Sequence, residues 1–408
     1  MLQERRRQLM RFALVTAGLV LLLFFLCPPD SLVYAWFWKP VIRRGTYIAI
    51  AICFALYFWK VRIDVFGLLA IAYWLVMMLS TLLMDASLWV CARTYLPMVA
   101  SMLLVRALFG TCKKQLLWAV LIVSVSYLLI NLVGMLAFPS GTKMWHTNWY
   151  SGLLGNRNGF PRFFVAAIGS SVLIDAGQGR RCSLRTVMIV PLCLAQSWVA
   201  PSATGEVAFV LLIVLLLAVQ KRAVRKMLNI GVYAATYIIV FLSIVVLRLQ
   251  FVFEPFIAGV LHKDLSFSGR VQIWDAIFGL MGDPAHLLIG YCGNPSPIVS
   301  YDPRITTGHN AILDVLYNGG IIGLVFALAI CIVVGRGLFF SRQKYETALV
   351  SACLGAFLVL GVTEHVTCVP LCIFMALGFC VGRNGAIGDL VGRSGGSCLT
   401  DTFCRRRC

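Results

Sequence analysis

Long apolar runs separated by short polar segments extend along almost the whole chain. Runs of about 18 or more apolar residues match the length of an α-helix that crosses a bilayer, whereas the strands of outer-membrane barrels give short, alternating runs. The pattern therefore predicts an all-α fold, a polytopic membrane helix bundle of about twelve spans. The predicted spans are residues 12–27, 45–59, 64–84, 93–109, 115–138, 160–175, 186–201, 204–219, 228–248, 319–335, 345–363 and 365–382.

Composition excludes the main soluble classes of protein. Of the 408 residues, 60% are hydrophobic and only 12% are charged, against about 45–50% and about 25% in ordinary soluble domains. The net charge of +19 is typical of a nucleic-acid-binding protein or of basic membrane loops, and the second explanation is favoured in a chain this apolar. We therefore expect the lipid bilayer, and no nucleic acid, as a partner.

The basic residues also predict the orientation of the bundle. With the N-terminus in the cytoplasm, the predicted inner segments hold roughly twice as many Lys and Arg residues as the outer ones, as the positive-inside rule requires. No small-x-small cleavage site follows the first apolar run, so we expect that run to be a retained span. The prediction is a membrane bundle over residues 1–382, with both termini in the cytoplasm and a basic, Cys-containing tail over residues 383–408.

The cysteines do not predict a metal centre. Six of the fifteen lie inside apolar runs, where Cys behaves as a small hydrophobic residue. Cys398, Cys404 and Cys408 in the tail lack the paired spacing and the His partner of zinc sites. We predict no metal and no cofactor.

The distribution of charge argues for a site outside the membrane. Apart from Arg106 and Glu206, which lie near span ends, no ionisable residue falls at the midplane of a predicted span. Ion-coupled transporters usually keep such residues at depth. All five histidines fall on the predicted outer side, in outer segments or at the outer end of a span, so we expect any chemistry at the outer face.

The predicted outer segment at residues 249–318 is some 70 residues long, and loops of this length are usually functional. Apolar spacing after Ser268, a candidate N-cap, predicts a helix with Arg270 in its first turn. Gly282-Asp283-Pro284 would end that helix, and residues 286–293 read as a short apolar strand or turn.

A second outer helix is predicted from Gly308 to Tyr317, closed by residues 318–320. His309 and Asn310 would lie in its first turn, where free backbone N–H groups favour an anion. Two such helix N-termini would form a cradle for a diphosphate. A solvated Arg270 and an ordinary polar His309 are the alternatives that spacing alone leaves open.

Several motifs together resemble the O-antigen ligase and O-antigen polymerase family. They are Ser268-Gly269-Arg270-x-x-x-Trp274, Asp283-Pro284, Gly290-Tyr291-Cys292-Gly293, Gly308-His309-Asn310-x-x-Leu313-x-x-x-x-Asn318-Gly319-Gly320-x-x-Gly323-Leu324 and Gly155-Asn156-Arg157-Asn158-Gly159. The similarity covers about residues 150–325, and elsewhere only hydropathy and span number agree. The family consists of multi-span bacterial enzymes of the cytoplasmic membrane with a large extracytoplasmic loop late in the chain.

This resemblance implies a transferase that moves a glycan from a polyprenyl-diphosphate carrier to an acceptor hydroxyl. The acceptor is another lipid-linked glycan in polymerases and a surface acceptor in ligases, and neither metal nor nucleotide is needed. By motif match, Arg270 would hold the diphosphate and His309 would be the general base. Arg157 and Arg162 are candidates for a second phosphate contact, and Asn310 for a further substrate contact.

The sequence departs from the family at the start of the eighth span. Many members have a Ser-Arg pair there, whereas this chain has Ser202-Ala203-Thr204-Gly205-Glu206. Glu206 would repel an anion, so we favour an ordinary helix start with an acidic residue in its first turn. A lipid-linked oligosaccharide flippase or other transporter, a peptidoglycan polymerase and a non-catalytic partner in polysaccharide assembly are the competing functions.

Overall fold

Helices make up nearly all of the described chain. The computed structural model describes residues 2–139, 151–257, 259, 267, 269–292, 298 and 307–393. Two-residue strands β1 (Ser151–Gly152) and β2 (Gly155–Asn156) form an antiparallel pair. The helices are α1 (Leu2–Leu26), α2 (Asp30–Tyr34), α3 (Lys39–Lys60), α4 (Val65–Leu83), α5 (Leu88–Ala137), α6 (Pro161–Gly177), α7 (Leu184–Val199), α8 (Ala203–Ala218), α9 (Arg222–Met227), α10 (Ile230–Val240), α11 (Glu254–Ile257), α12 (Arg270–Leu280), α13 (Pro284–Ile289), α14 (Ala311–Phe340), α15 (Tyr345–Thr363) and α16 (Val369–Arg393). Helix α10 continues as a π-helix, Phe241–Val246, and 3₁₀ turns lie at Arg157–Gly159 and Leu249–Phe253.

The described helices confirm the all-α class. Seven of them are long and apolar enough to cross a membrane, namely α1, α3, α4, α5, α6, α14 and α15. Four shorter apolar helices accompany them, namely α7, α8, α10 with its π-helical extension, and α16 up to Arg383. The chain is thus an all-α protein with several candidate membrane helices, and the number of twelve spans stays a prediction.

Helix α5 joins two predicted spans. It has 50 residues, which at about 1.5 Å per residue corresponds to about 75 Å, more than twice the hydrocarbon thickness of a bilayer. The backbone of Cys112 leaves the helical region, with φ −133°. The predicted spans 93–109 and 115–138 lie on the two sides of this break.

The outward-facing side chains suit a lipid environment. Leu136, Leu217 and Ile332 are each more than half exposed, although apolar residues of this size are usually buried in soluble proteins. Exposed tryptophans lie at or near helix ends, as at Trp59 in α3 and Trp198 in α7. Trp is enriched where a membrane helix meets the headgroup layer.

Side-chain contacts join the segments at one end of the bundle, which we call the His309 end. Thr204 at the start of α8 shares a hydrogen bond of 2.6 Å with Thr363 at the end of α15. The Ser80 hydroxyl near the end of α4 donates to the Asn318 carbonyl in α14, over 3.0 Å. The predicted outer segments therefore lie together.

A second set of contacts defines the opposite, Arg106 end. Arg106 in α5 pairs with Asp64, the N-cap of α4, over 2.5 Å, and Lys113 pairs with Glu346 in α15 over 2.7 Å. Lys113 belongs to a predicted inner segment, and the other three residues lie at the inner ends of predicted spans. The two sets of contacts are separated as the order of the predicted spans requires, whereas the end that faces the cytoplasm stays a prediction.

Thiol labelling of intact cells tests the orientation. Cys182, in the turn between α6 and α7, is exposed and belongs to the predicted inner side, whereas Ala285 in α13 is exposed and belongs to the outer loop. We expect a membrane-impermeant maleimide to label an Ala285→Cys variant in intact cells. Cys182 should react only in permeabilised cells, which a Cys182→Ser variant would verify. The opposite pattern of labelling would contradict the orientation.

Candidate active site

The start of α14 is capped by Asn310. Its side-chain oxygen accepts from the backbone N–H groups of Ile312 and Leu313, at 3.0 and 3.1 Å, and its amide nitrogen donates to the Val362 carbonyl at 2.9 Å. Asn310 is fully buried. The predicted contact between Asn310 and substrate is thus not supported, because both ends of the side chain already bond within the protein.

The sequence predicted His309 in the first turn of this helix, but His309 precedes the helix, which begins at Ala311. Its backbone has φ +46°, in the left-handed region that most residues avoid. The neighbouring Gly308 is held on both sides: its N–H donates to Asp314 over 2.6 Å, and its carbonyl accepts from the Trp274 indole over 3.0 Å. These bonds fix the turn that carries the imidazole.

Arg270 is the first residue of α12, as predicted. Gly269, with φ +87°, is the N-cap in the structure, and the predicted cap, Ser268, lies outside the described residues. Ile273 and Trp274 are buried in a cluster that also contains Leu313 of α14. The apolar face of α12 therefore brings Arg270 to the start of α14.

The central feature of the site is a buried carboxylate, Glu364, on which Arg270 and His309 converge. The Arg270 guanidinium forms an ion pair with Oε1 of Glu364, and Nδ1 of His309 lies 3.5 Å from Oε2. The Glu364 side chain is only 7% exposed, and that of His309 is 30% exposed. A distance of 3.5 Å is long for a hydrogen bond, and the buried Nδ1 of His309 has no hydrogen-bond partner among the described residues. Arg270 Nη1 donates to the Phe267 carbonyl, whereas its Nε finds no partner in the described part of the chain.

Sequence reasoning did not identify Glu364. It follows α15 directly, at the boundary of a predicted span, and its neighbour His365 is one of the five histidines on the predicted outer side. A buried acidic residue needs a cationic partner. An acidic residue between two apolar spans therefore indicates a buried ion pair, although the sequence does not show that Arg270 is the partner.

A second His–carboxylate pair lies beside the first. Nδ1 of His365 is 2.7 Å from Oδ2 of Asp314, which is almost fully buried in the first turn of α14. The other oxygen of Asp314 accepts from Gly308, next to His309. Asp314 therefore links the residue after Glu364 to the residue before His309.

Arg162 lies at the same end of the bundle. It is the second residue of α6, and its guanidinium lies beside Cys368 and near Asp30. Its Nε has no hydrogen-bond partner among the described residues. Burial raises the pKa of the Asp30 carboxyl, although Arg162 and Arg93 act in the opposite direction. Arg157 begins the 3₁₀ turn just before α6.

The loop between α15 and α16 connects these basic groups. Glu364, which contacts Arg270, and Cys368, which lies beside Arg162, are four residues apart. Four residues span at most about 14 Å. The structure therefore brings Arg270, His309 and Arg162 to one short loop, although they are far apart in the sequence.

The segment after α12 differs from its prediction as a strand or turn. Residues Pro284–Ile289 form helix α13, capped by Asp283, whose side chain accepts from Ala285. The hydrogen bond with His286 lowers the pKa of Asp283. The Asp283 side chain is exposed and that of His286 is partly buried, with the His286 ring stacked on Tyr291.

Helix α14 contains the predicted close of the outer helix. Its backbone leaves the helical region at Gly320, with φ +59°, and the apolar stretch that follows continues to Phe340. A side chain at Gly320 would come within 2.4 Å of the Leu288 backbone. The close approach of α13 is what requires glycine there.

Glu206 is the acidic residue of an ordinary helix start, as favoured from the sequence. It lies in the first turn of α8, is exposed, and its carboxylate accepts from the Ser202 N–H over 3.2 Å. This confirms that reading of the segment.

An apolar cavity of about 780 Å³ begins beside the polar cluster. At the His309 end it is lined by Ala311, Ile312 and Thr367, which lie two or three residues from His309 and Glu364. At the Arg106 end it is lined by Phe339 and Phe340 of α14. The cavity therefore follows most of the length of α14 through the bundle.

Comparisons with protein-family models, curated proteins and solved structures find no match to this chain. Within the described ranges, no group of three or more His, Cys, Asp and Glu side chains is placed to hold a metal ion.

Proposed function

We propose that this protein transfers a glycan from a polyprenyl-diphosphate carrier to an acceptor hydroxyl at the outer face of a bacterial cytoplasmic membrane, as a polymerase or a ligase of surface polysaccharide. The observation that carries the proposal is the convergence of Arg270 and His309 on Glu364, beside the opening residues of an apolar cavity. Transfer from such a donor requires a cation for the diphosphate, a base for the acceptor hydroxyl and an apolar cavity for the polyprenyl tail.

The transfer needs little beyond positioned charges and one base. The acceptor oxygen attacks the anomeric carbon while the bond from that carbon to the diphosphate oxygen breaks, and the acceptor proton passes to Nε2 of His309. The leaving diphosphate gains negative charge, which a guanidinium stabilises because it remains charged and offers several donors. Arg270 supplies this group, and Arg162 is the second candidate.

Glu364 has two roles in this scheme. Its carboxylate holds the Arg270 guanidinium in place before the donor binds. It also lies 3.5 Å from Nδ1 of His309, so the imidazolium that forms during transfer would have a neighbouring negative charge. Asp314 and His365 act as positioning residues, because they hold Gly308 and the loop that carries Glu364.

The apolar cavity supports a lipid-linked donor and argues against a flippase. Its wall is built almost entirely from apolar side chains of α5, α10, α14, α15 and α16, which suit a polyprenyl chain. A flippase would have to move the charged diphosphate through the same space, and charge at membrane depth is costly without polar partners. The tail fits the cavity, whereas the headgroup fits the polar cluster.

The test is transfer by the purified protein in proteoliposomes. A polyprenyl-diphosphate glycan would be supplied alone or with a candidate surface acceptor, and the products would be separated by size. Longer lipid-linked chains indicate a polymerase, and loss of donor to the second acceptor indicates a ligase. Movement of the intact donor between leaflets without transfer would contradict the proposal and support a flippase.

Filling the cavity provides a prediction for the lipid tail. Ala327 of α14 lines the cavity, whereas Val325 of the same helix is exposed on the bundle surface. We expect Ala327→Trp to raise the KM for a long polyprenyl donor by about tenfold, since about 1.4 kcal/mol of lost binding has that effect. The matched Val325→Trp variant should behave like wild type, and a donor with a short prenyl chain should be less affected. Equal KM values for the two variants would exclude the cavity as the tail site.

A further inference from the structure

Two cysteine side chains meet at the His309 end of the bundle. Cys91 lies near the start of α5, and Cys292 follows Gly290 and Tyr291 after α13. Their sulfur atoms are 3.8 Å apart although the residues are separated by 201 positions in the chain. Both side chains are buried.

The backbone around Cys292 is fixed to neighbouring helices. The Cys292 N–H donates to the Ser80 hydroxyl over 3.2 Å, and that hydroxyl donates to the Asn318 carbonyl over 3.0 Å. The Tyr291 N–H donates to the Tyr317 carbonyl over 2.7 Å. The two sulfur atoms are therefore brought together by α4, α5 and α14.

We propose that Cys91 and Cys292 form a disulfide bond that ties the segment after α13 to the start of α5. A disulfide bond is about 2.05 Å long, so the sulfur atoms must approach by about 1.8 Å, which small rotations of the two side chains can provide. Neither cysteine takes part in the proposed transfer.

The bond forms by exchange with an external protein disulfide. One thiolate of the pair attacks that disulfide and forms a mixed disulfide, which releases one partner thiol. The second thiolate then displaces the other partner thiol and closes the Cys91–Cys292 bond. Two cysteines of this chain are oxidised and one disulfide of the exchange partner is reduced to two thiols.

The predicted orientation places both cysteines on the oxidising side of the membrane. Disulfides persist at extracytoplasmic surfaces and are rare in the reducing cytosol. If the His309 end faced the cytoplasm, the same pair would remain as thiols. The redox state therefore also reports on the orientation, independently of glycan transfer.

The bond would support the site indirectly. Gly290, two residues before Cys292, packs against the backbone of residues 318–320, where a side chain would come within 2.6 Å. A disulfide at Cys292 would hold this contact and hence the break in α14 near the site. It would also restrict the unfolded chain by closing a long loop.

Counting thiols in the full-length protein tests the bond. The chain has fifteen cysteines, so protein purified without reductant and alkylated in denaturant should take up thirteen labels, and fifteen after reduction. Peptide mapping should show Cys91 joined to Cys292. In a Cys91→Ser variant, Cys292 should be alkylated without reduction. A Cys53→Ser control, at a buried position of α3, should keep the disulfide.

Fifteen labels without reduction, or Cys91 joined to a different cysteine, would overturn the proposal. If the disulfide stabilises the site, the wild-type protein should have a melting temperature several degrees above that of a Cys91→Ser, Cys292→Ser double variant. The Cys53→Ser control should lose stability on reduction by as much as the wild type does. Equal melting temperatures for the wild type and the double variant would overturn that role. A protein that carries the bond but transfers no glycan would refute the proposed function and leave the disulfide standing.

Discussion

Replacing Arg270 should reduce the rate of glycan transfer about 10²–10³-fold, the usual effect of losing one charge-stabilising donor. We expect Arg270→Lys to be nearly as damaging as Arg270→Ala, because an ammonium lacks the planar fork of a guanidinium. The measurement is the initial rate of transfer by purified protein at saturating donor. Arg248→Lys is the matched control, since Arg248 also pairs with a carboxylate, the exposed Asp275.

Loss of folding must be separated from loss of chemistry at Arg270. Breaking a buried ion pair leaves an unpaired charge and typically costs about 3–5 kcal/mol of unfolding free energy, so Arg270→Ala should also be less stable. An Arg270→Gln, Glu364→Gln double variant removes both charges and should recover much of that stability while remaining inactive. A double variant that regains transfer would show that Arg270 acts only through the fold.

Replacing His309 should produce the largest loss, about 10²–10⁴-fold in rate, because the variant lacks the general base. His309→Asn should disturb the backbone less than His309→Gln, because a residue at φ +46° lies in the left-handed region, which Asn tolerates better than most non-glycine residues. The donor should still bind to His309→Asn. The measurement is the transfer rate of each variant against pH, with donor binding measured separately.

The pH dependence distinguishes a base from a phosphate contact. A base must be neutral to accept the proton, so the wild-type rate should fall as pH decreases and the imidazole becomes charged. A protonated imidazole that held the diphosphate would instead lose binding as pH increases. His286→Asn, in the pair with Asp283 and outside the cluster around Glu364, should leave both measurements unchanged. If His365→Asn lost more of the transfer rate than His309→Asn, the general base would be His365, which pairs with Asp314, and not His309.

Most of the helices were predictable from local pattern. The break at Cys112 falls between two predicted spans, and Arg270 lies in the first turn of α12 as the apolar spacing indicated. Residues 286–293 were predicted as a strand or turn, which is wrong for residues 286–289 because they belong to helix α13. An apolar run this short does not show a periodicity that distinguishes a strand from a helix. The capping role of Asn310 was also missed, since a side chain that could bind an anion can equally accept from its own helix.

The sequence by itself determined the all-α class and the apolar helices, whereas Arg270 and His309 stand out only through the resemblance of their motifs to a known family. The first two properties follow from hydropathy and from residue spacing within single segments, which do not require knowledge of distant contacts. Only the tertiary structure decided that Arg270 and His309 share one partner, Glu364, which is 94 positions from Arg270. A carboxylate buried this deeply must find positive charge wherever the fold provides it. Its partners are therefore set by helix packing and not by neighbours in the sequence.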